Sequence, residues 1–375
     1  MLEFYSHRKG IFSVMLSKIM LNRRQKWRFL TTRIGDDKYT VPIFEAAGKG
    51  CSVPLFKTLM NSHCMNDCKF CAFRSERREM REKWEADELA RVTMKTWKER
   101  KISGLFLSSG VLRDADLTVE KEIETVRILR KSGFTAYVHV KIMPGTSMDL
   151  IKQAVEISDR VGINLEFPRK EHYNDMKLFL NFRQDVVRRV RWLANEILKA
   201  QKRGKCKAGL DSQMVVGAAD ETDKQVLQMA DWMYHKLMAR RVYFSSFHPV
   251  KNTPLENKQS ENRWREYRLY QSSFLIQKYG YHWKDFVFND SDKLPVEKDP
   301  KILIAEENEL KVDVNNAEYE ELIKVPGIGI KTAKNILENR PIKNFQQLNQ
   351  LGVLKRALEF LDLKKERQMN LNFWK

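Results

Sequence analysis

Three cysteines, Cys64, Cys68 and Cys71, fall within eight residues, separated by intervals of three and two residues. Cysteines spaced in this way on one loop can wrap a compact iron–sulfur cluster from one side. Three thiolates for four irons would leave one iron open to a substrate or cofactor. Structural zinc is the alternative, but it needs four tetrahedral ligands, and His63 is awkwardly placed as a fourth because it adjoins Cys64. The spacing therefore favours a cluster over zinc.

The Cys-x3-Cys-x2-Cys spacing, with the aromatic residue Phe70 before the third cysteine, resembles the radical S-adenosylmethionine (SAM) superfamily. The resemblance implies a [4Fe-4S] cluster on Cys64, Cys68 and Cys71, with Phe70 beside the cofactor. It implies that the amino and carboxylate groups of SAM chelate the open iron. It also implies that an electron from the reduced cluster cleaves SAM to a 5′-deoxyadenosyl radical, which abstracts a hydrogen atom from the substrate.

Two further segments resemble SAM-binding positions of that superfamily. Ser108-Ser109-Gly110 ends a predicted strand, where superfamily members usually carry a Gly-Gly-Glu-like turn that binds the SAM amino group. The acidic residue is missing here, so backbone carbonyls and serine hydroxyls would have to bind that group. Asn164 and Glu166 point the same way on an alternating strand and would meet the SAM ribose or amine. A plain strand-to-helix turn and an exposed strand end are the alternatives.

Candidate residues also follow the last two predicted strands. The segment from Gln213 to residue 221 resembles the fifth-strand motif of the superfamily, which implies Gln213 as a cofactor contact, Val216 near the adenine and Gly217 for close backbone approach. His248 opens a His-Pro-Val-Lys-Asn-Thr-Pro-Leu stretch similar to one beside the active site of related enzymes. It is a candidate for proton transfer, and Tyr243 is a candidate radical relay. A structural histidine and a packed tyrosine are the alternatives.

A different motif lies near the C-terminus. The sequence Val-Pro-Gly-Ile-Gly-Ile-Lys-Thr-Ala at residues 325–333 resembles a helix-hairpin-helix motif. Gly327 and Gly329 permit a tight hairpin, whose backbone N–H groups and following helix N-terminus can bind a phosphate. Side chains that would assist are Lys331, Thr332 and Lys334. A second, degenerate copy is expected over residues 345–358, and paired motifs of this kind hold duplex backbone without reading sequence. A protein-binding or purely structural hairpin is the alternative.

The elements that must position these residues form a repeating strand-then-helix pattern. Candidate strands are Leu55–Leu59, Gly104–Leu107, Thr135–Val140, Gly162–Leu165, Ala208–Val216 and Val242–Phe247. Candidate helices are Glu85–Lys101, Val119–Ser132, Met148–Val155, Val186–Lys202, Asp223–Leu237 and Glu261–Tyr279. Parallel neighbours need crossover helices, and ligands in such folds bind at the C-terminal ends of the strands. The pattern predicts an α/β fold, a partial (β/α)6 TIM-like barrel, followed by a small all-α helix-hairpin-helix domain.

Composition limits the class of protein. Of 375 residues 42% are hydrophobic, so a sizeable core can form, and Lys plus Arg (68) exceed Asp plus Glu (49) by 19. This excess favours polyanionic partners such as nucleic acid. No apolar run is long enough for a transmembrane helix, so no membrane partner is expected. Five cysteines in a long chain do not suit a disulfide scaffold and indicate a reducing, cytoplasmic compartment.

The order of these segments predicts the domains. We expect a basic N-terminal extension over residues 1–45, the barrel over 46–284, a linker over 285–310, the helix-hairpin-helix domain over 311–365 and a tail over 366–375. A radical SAM barrel followed by such a domain resembles a prokaryotic family of radical SAM proteins assigned to DNA modification or repair.

That resemblance implies an enzyme that applies its radical to a base or sugar of double-stranded DNA. It also implies an electron donor for the cluster and leaves room for a second repair or modification protein as a partner. Two alternatives stay open. One is a radical SAM enzyme that modifies tRNA or rRNA, and the other is a non-catalytic iron–sulfur protein that binds DNA.

Overall fold

The computed structural model describes residues 43–47, 52–176 and 180–363. The chain divides into two compact units. The first contains the chain up to Glu221 together with His235–Glu261, and the second contains Thr222–Tyr234 together with the chain from Asn262 onward. Within the described ranges, no helix is long and apolar enough to cross a membrane. Most of the predicted N-terminal extension and the predicted tail lie outside the described residues.

The first unit is built on one sheet. Its strands are β1 (Ile43–Ala47), β2 (Ser52–Leu59), β3 (Gly104–Ser108), β4 (Tyr137–Lys141), β5 (Arg160–Gly162), β6 (Gly209–Val216) and β7 (Arg241–Ser246). They pair in chain order; β1 runs antiparallel to β2, and the six strands β2–β7 are parallel. The predicted (β/α)6 arrangement is confirmed, with β1 as an additional edge strand that sequence patterning missed.

Helices connect the parallel strands. They are α1 (Ala86–Lys98), α2 (Ala115–Lys131), α3 (Met148–Ile157), α4 (Lys170–Met176), α5 (Arg188–Lys202), which follows the π-helical turn Phe182–Val187, and α6 (Asp223–Leu237). Helix α2 starts at Asp114, whose carboxylate accepts a hydrogen bond from Leu117 N–H at 2.7 Å. Alternate strand residues such as Leu105 and Leu107 are fully buried, which places the core of the unit on their face of the sheet.

The strand predicted over Gly162–Leu165 is displaced. The observed strand, β5, covers Arg160–Gly162, and the chain leaves the ladder after it. Leu165 N–H instead bonds the Ser212 hydroxyl at 3.2 Å, and Glu166 takes a left-handed conformation with φ of 60°. Asn164 and Glu166 therefore lie on the loop after β5 rather than on alternating strand positions. Apolar residues at 163 and 165 extended the strand pattern into this loop.

The second unit contains part of α6 and the remaining elements of the chain. They are α7 (Arg263–Tyr279), a 3₁₀ turn (Trp283–Asp285), α8 (Pro300–Glu307), β8 (Val312–Asp313), α9 (Tyr319–Leu322), α10 (Ile330–Glu338), α11 (Phe345–Gln350), a 3₁₀ helix (Lys355–Phe360) and β9 (Leu361–Asp362). Strands β8 and β9 form a short parallel pair, so the C-terminal part is mainly helical rather than all-α.

Helix α8 corrects the prediction of a linker over 285–310. Asp299 accepts a hydrogen bond from Lys301 N–H at 2.9 Å, and Pro300 occupies the first turn. Both features favour helix initiation. Ala305 is buried in the same apolar cluster as Leu322, Ala333 and other residues of the C-terminal helices, so α8 belongs to that core.

Candidate active site and nucleic-acid interface

The cysteine loop follows β2 and is bonded to the segment that follows β3. Three backbone hydrogen bonds join the two segments: Met60 N–H to Ser108 O at 2.6 Å, Gly110 N–H to Asn61 O at 2.8 Å and Met65 N–H to Val111 O at 2.8 Å. The loop therefore lies at the C-terminal ends of two neighbouring parallel strands, which is where such folds place their ligands.

Within the loop, Cys68 is buried, and Cys64 and Cys71 are half-buried. Burial lowers the pKa of Arg81, while the neighbouring Cys64 and Cys71 act to raise it. The Arg81 guanidinium also donates to the carbonyls of Ser62 at 2.8 Å and Arg74 at 2.7 Å. A fixed cation thus lies beside two of the cysteines, where it would offset the negative charge of their thiolates.

Asn61 organises the turn predicted to bind the SAM amino group. Its side-chain amide donates to the Ser109 hydroxyl at 2.8 Å and to the Gly110 carbonyl at 2.7 Å. The Ser109 hydroxyl donates to the same carbonyl at 2.7 Å, so much of the predicted hydrogen-bonding capacity is already used within the turn. Asn61 is 4% exposed, and its Oδ1 is a buried acceptor that has no hydrogen-bond partner among the described residues. Sequence reasoning missed this residue.

The loop after β5 provides a second unsatisfied acceptor. Asn164 Nδ2 donates to Glu166 Oε1 at 3.3 Å, while Asn164 Oδ1 is buried with no hydrogen-bond partner in the part of the chain that the structure describes. Phe70 of the cysteine loop packs edge-on against Phe167, with ring centroids 5.4 Å apart. The ring contact thus brings Phe70 to the loop that carries Asn164 and Glu166, which sequence reasoning had selected separately.

The end of β6 is shaped by a close backbone approach. Gly217 has φ of 90°, and a Cβ built on it would lie 2.6 Å from the Cβ of Glu261. Its N–H donates to the Glu221 carboxylate at 2.5 Å. Gln213 is half-buried, and its carbonyl accepts from Glu166 N–H at 3.0 Å. Val216 is fully buried, which places its side chain in the core.

The two catalytic candidates occupy different environments. His248 is exposed in the loop that follows β7. The same loop is tied to the cysteine loop, since Arg77 Nε donates to the Lys251 carbonyl at 2.9 Å. Tyr243 lies within β7 and is half-buried; burial raises the pKa of its phenol. Its hydroxyl is 3.5 Å from an Arg160 guanidinium nitrogen.

In the second unit, the predicted hairpin connects α9 to α10. Gly327 has φ of 90°, a conformation that favours glycine, and a Cβ there would lie 3.1 Å from Arg356 Cγ and 3.2 Å from Ala357 N. Gly329 is the N-cap of α10 and has an ordinary extended conformation. Leu354 N–H donates to Gly327 O at 3.3 Å, so the segment predicted as a second hairpin contacts the first.

The assisting residues of the hairpin differ in their contacts. Thr332 lies in α10, and its hydroxyl is 3.4 Å from Gly352 O in the second hairpin segment. Lys331 is exposed, as is Lys334 on the next turn of the helix. Their ammonium groups are therefore accessible to a polyanion.

A cavity of about 300 Å³ lies beside the hairpin and is lined by Gly327, Gly329, Tyr279, Lys301 and Arg356 among others. Lys301 Nζ donates to the Ile328 carbonyl at 2.8 Å and lies 4.7 Å from the centroid of the Tyr279 ring. Burial lowers the pKa of Lys301 to about 7, against the opposing effect of Asp299. Basic side chains therefore line the cavity beside the hairpin glycines.

Comparison with known proteins gave one family match, to the helix-hairpin-helix motif, over residues 307–358. Among solved structures, the chain is similar to methylornithine synthase (PylB), with 17% identity, a TM-score of 0.48, and coverage of 60% of this chain and 62% of that one. It is similar to HydG, a maturase of the [FeFe]-hydrogenase, with 14% identity, a TM-score of 0.46, and coverage of 60% and 49%.

For the HydG of Carboxydothermus hydrogenoformans the identity is 16%, the TM-score 0.47 and the coverage 60% and 51%. The chain thus spans between 49% and 62% of the length of these structures. The comparison with curated proteins gave no match. The family match and the geometry of Gly327 agree on the C-terminal part: residues 307–358 contain a helix-hairpin-helix motif.

Proposed function

We propose that this protein is a radical SAM iron–sulfur enzyme that modifies or repairs DNA. The observation that carries the proposal is the three-cysteine loop, fixed to the C-terminal ends of β2 and β3 of a six-stranded parallel sheet, in a chain that also contains a helix-hairpin-helix motif. The cysteine loop would hold the cluster that generates the radical, and the helix-hairpin-helix motif would bind a phosphate backbone.

The residues around the cysteine loop fit the cofactors. Cys64, Cys68 and Cys71 would hold a [4Fe-4S] cluster, and the orphaned oxygens of Asn61 and Asn164 are acceptors of the kind that the ammonium and ribose hydroxyls of SAM require. When bound, the cluster and SAM supply an electron and a 5′-deoxyadenosyl radical. Glu166, which is bonded to Asn164, adds a carboxylate for the same groups.

The hairpin would bind the substrate backbone rather than its bases. The N–H groups at the start of α10 and the exposed Lys331 and Lys334 suit a phosphate. The chain carries a net charge of +19, which would strengthen attraction to a polyanion. A base inside an intact duplex would have to be extruded to reach a barrel. We place this activity in the cytoplasm, with an electron donor as a necessary partner.

The test is formation of 5′-deoxyadenosine by anaerobically reconstituted, reduced protein, with damaged duplex DNA, with bulk tRNA and with neither. We expect DNA alone to stimulate formation, and a Cys68→Ser variant to show none. Stimulation by tRNA alone would indicate that the substrate is RNA and not DNA. No 5′-deoxyadenosine from a protein with an intact cluster and bound SAM, across both nucleic acids and a range of electron donors, would contradict radical catalysis.

A further inference from the structure

The second unit buries a lysine that the proposed function leaves without a role. Lys301, in the first turn of α8, is 8% exposed and lines the cavity of about 300 Å³ beside the hairpin glycines. Its ammonium donates to the Ile328 carbonyl at 2.8 Å and lies 4.7 Å from the centroid of the Tyr279 ring. Within the described residues these are its contacts, and neither is a carboxylate. A lysine buried in this way lacks the ion pair that normally stabilises its protonated form.

Burial and two charged neighbours set the protonation of Lys301. Burial is the largest cause, and it lowers the pKa of Lys301 to about 7. Asp299, the N-cap of α8, acts to raise this pKa, but its carboxylate is bonded to Lys301 N–H at 2.9 Å and to the Gln271 side-chain amide at 3.1 Å. Arg356, in the 3₁₀ helix, acts to lower it. At pH 7 about half of Lys301 is therefore neutral, against about one in 2,500 for an exposed lysine with a pKa of about 10.4.

The hairpin forms one wall of the same cavity. Gly327, Ile328 and Gly329 all line it, and the carbonyl that holds Lys301 belongs to Ile328, between the two glycines. The Tyr279 hydroxyl lies 3.8 Å from the place that a Cβ on Gly329 would take. We take from the proposed function that this hairpin holds a phosphate of the DNA backbone. The sugar bonded to that phosphate would then lie close to the Lys301 amine.

A neutral lysine amine is a nucleophile for carbonyl carbons, with which it forms Schiff bases. Intact DNA offers no aldehyde, whereas a nucleotide that has lost its base carries one at C1′ when its sugar ring opens. We propose that Lys301 forms a Schiff base with the C1′ aldehyde of an abasic site in DNA. The amine adds to C1′, and the carbinolamine loses its oxygen as water to leave a C=N bond, so neither an oxidant nor a reductant is needed. Lys301 would thereby hold a damaged nucleotide covalently and reversibly.

Reductive trapping tests this without radical turnover. The reconstituted full chain, without SAM, is incubated with a duplex that contains one abasic site and with sodium cyanoborohydride, which reduces the C=N bond to a stable amine. Peptide mass spectrometry then locates the adduct. We expect it on Lys301, formed at pH 7 about tenfold or more faster than on the exposed Lys331 and Lys334. The rate on Lys301 should rise from about pH 6 to about pH 8 and then level off, whereas exposed lysines should gain above about pH 9.

Two variants and a small aldehyde complete the test. Lys301→Arg keeps a cation that can donate to the Ile328 carbonyl but cannot form a Schiff base, so its adduct should fall about tenfold or more. Lys298→Arg makes the same change at an exposed lysine, whose ammonium lies 2.6 Å from a Glu306 carboxylate oxygen, and should trap as wild type does. Trapping of 2-deoxyribose 5-phosphate examines the amine apart from DNA, and we expect this adduct on Lys301 too. Because the adduct is mapped on wild type, the test does not depend on the folding of a variant.

Adducts confined to Lys331, Lys334 or other exposed lysines would overturn the proposal, as would an equal yield in Lys301→Arg. Absence of any adduct would also overturn it when fluorescence anisotropy shows that the abasic duplex is bound. Failure of the duplex to bind would instead contradict the proposed function, and this source of the aldehyde with it, even with 2-deoxyribose 5-phosphate trapped on Lys301. An adduct on Lys301 in a protein that forms no 5′-deoxyadenosine would count against the radical activity alone.

Discussion

Replacing Gly110 by alanine should disturb the cysteine loop while leaving the second unit intact. A Cβ at this position would lie 2.6 Å from His63 O and 3.1 Å from Cys64 Cβ. The distance to the carbonyl oxygen would be about 0.8 Å shorter than an ordinary contact of 3.4 Å. The backbone of Gly110 has little freedom to retreat, because its N–H and its carbonyl are both bonded to Asn61. Overpacking of this kind costs about 1–3 kcal/mol.

The assay compares Gly110→Ala with Gly329→Ala, an identical chemical change where the new Cβ would meet nothing nearer than 3.8 Å. Iron and sulfide per chain are measured after anaerobic reconstitution, and denaturant unfolding is measured on the apo protein. We expect Gly110→Ala to retain less than half of the wild-type iron and to lose about 1–3 kcal/mol of apparent stability, with the control unchanged in both. Wild-type iron content and stability in Gly110→Ala would refute the assignment of this contact to the cluster loop.

Four further substitutions test other parts of the structure. Glu122 is fully buried, neither of its carboxylate oxygens has a hydrogen-bond partner within residues 43–47, 52–176 and 180–363, and burial raises its pKa well above the usual value. The stability contributed by the raised pKa of Glu122 is fully present below about pH 4.3, the pKa of glutamate in the unfolded chain, and is lost as pH rises through the higher pKa of the folded protein. Glu122→Met should therefore stabilise the protein by about 1–3 kcal/mol in urea unfolding at pH 8, and by less at pH 5. Asp211→Asn should cost about 3–5 kcal/mol near pH 7, because it leaves Lys141 buried without its partner. The depressed pKa of Asp211 means that wild-type stability falls as pH drops below about 4, and the difference between the two proteins should narrow there. Gly327→Ala should destabilise the second unit by about 1–2 kcal/mol through its left-handed backbone, whereas Gly329→Ala should fold normally yet weaken duplex binding in fluorescence anisotropy.

Three of these predictions have a matched outcome that would contradict them. Glu120 is exposed on the same helix as Glu122, so Glu120→Met should change stability by less than about 0.5 kcal/mol; an equal gain from both variants would show that the buried carboxyl is not the cause. A constant difference between wild type and Asp211→Asn from pH 7 to pH 3 would contradict the ion pair. Unchanged duplex affinity in Gly329→Ala would argue against close approach of a phosphate to the hairpin.

The strand order and the cysteine loop follow from local sequence signals. Apolar runs separated by periodic helices predict a parallel sheet, and the hairpin glycines predict a tight hairpin, in which Gly327 adopts a left-handed conformation. Helix α8 could also be predicted from the sequence, because Asp299 at the N-cap followed by Pro300 is a helix-start signal. The interpretation of this segment as a linker did not use that signal. In these cases a short segment of the chain contains the information needed.

Non-local contacts could not be predicted in this way. Asn61 meets Gly110 across 49 residues of sequence, so its role in the turn depends on the pairing of β2 with β3. The ion pair of Asp211 with Lys141 likewise depends on Gly162, where a Cβ would lie 2.1 Å from Asp211 Oδ1, and single charged residues within apolar strands give no periodic signal on their own. The end of β5 was misplaced because Ile163 and Leu165 continue its apolar alternation beyond the ladder.

The central claim is that Cys64, Cys68 and Cys71 hold a cluster with one iron open to SAM. Electron paramagnetic resonance of the reduced, reconstituted protein tests it most directly, recorded with and without saturating SAM and with Cys206→Ser as a control for a buried cysteine outside the loop. We expect a [4Fe-4S] signal that SAM shifts in wild type and in the control, and that Cys68→Ser abolishes. A fully formed cluster whose spectrum SAM leaves unchanged would contradict the account.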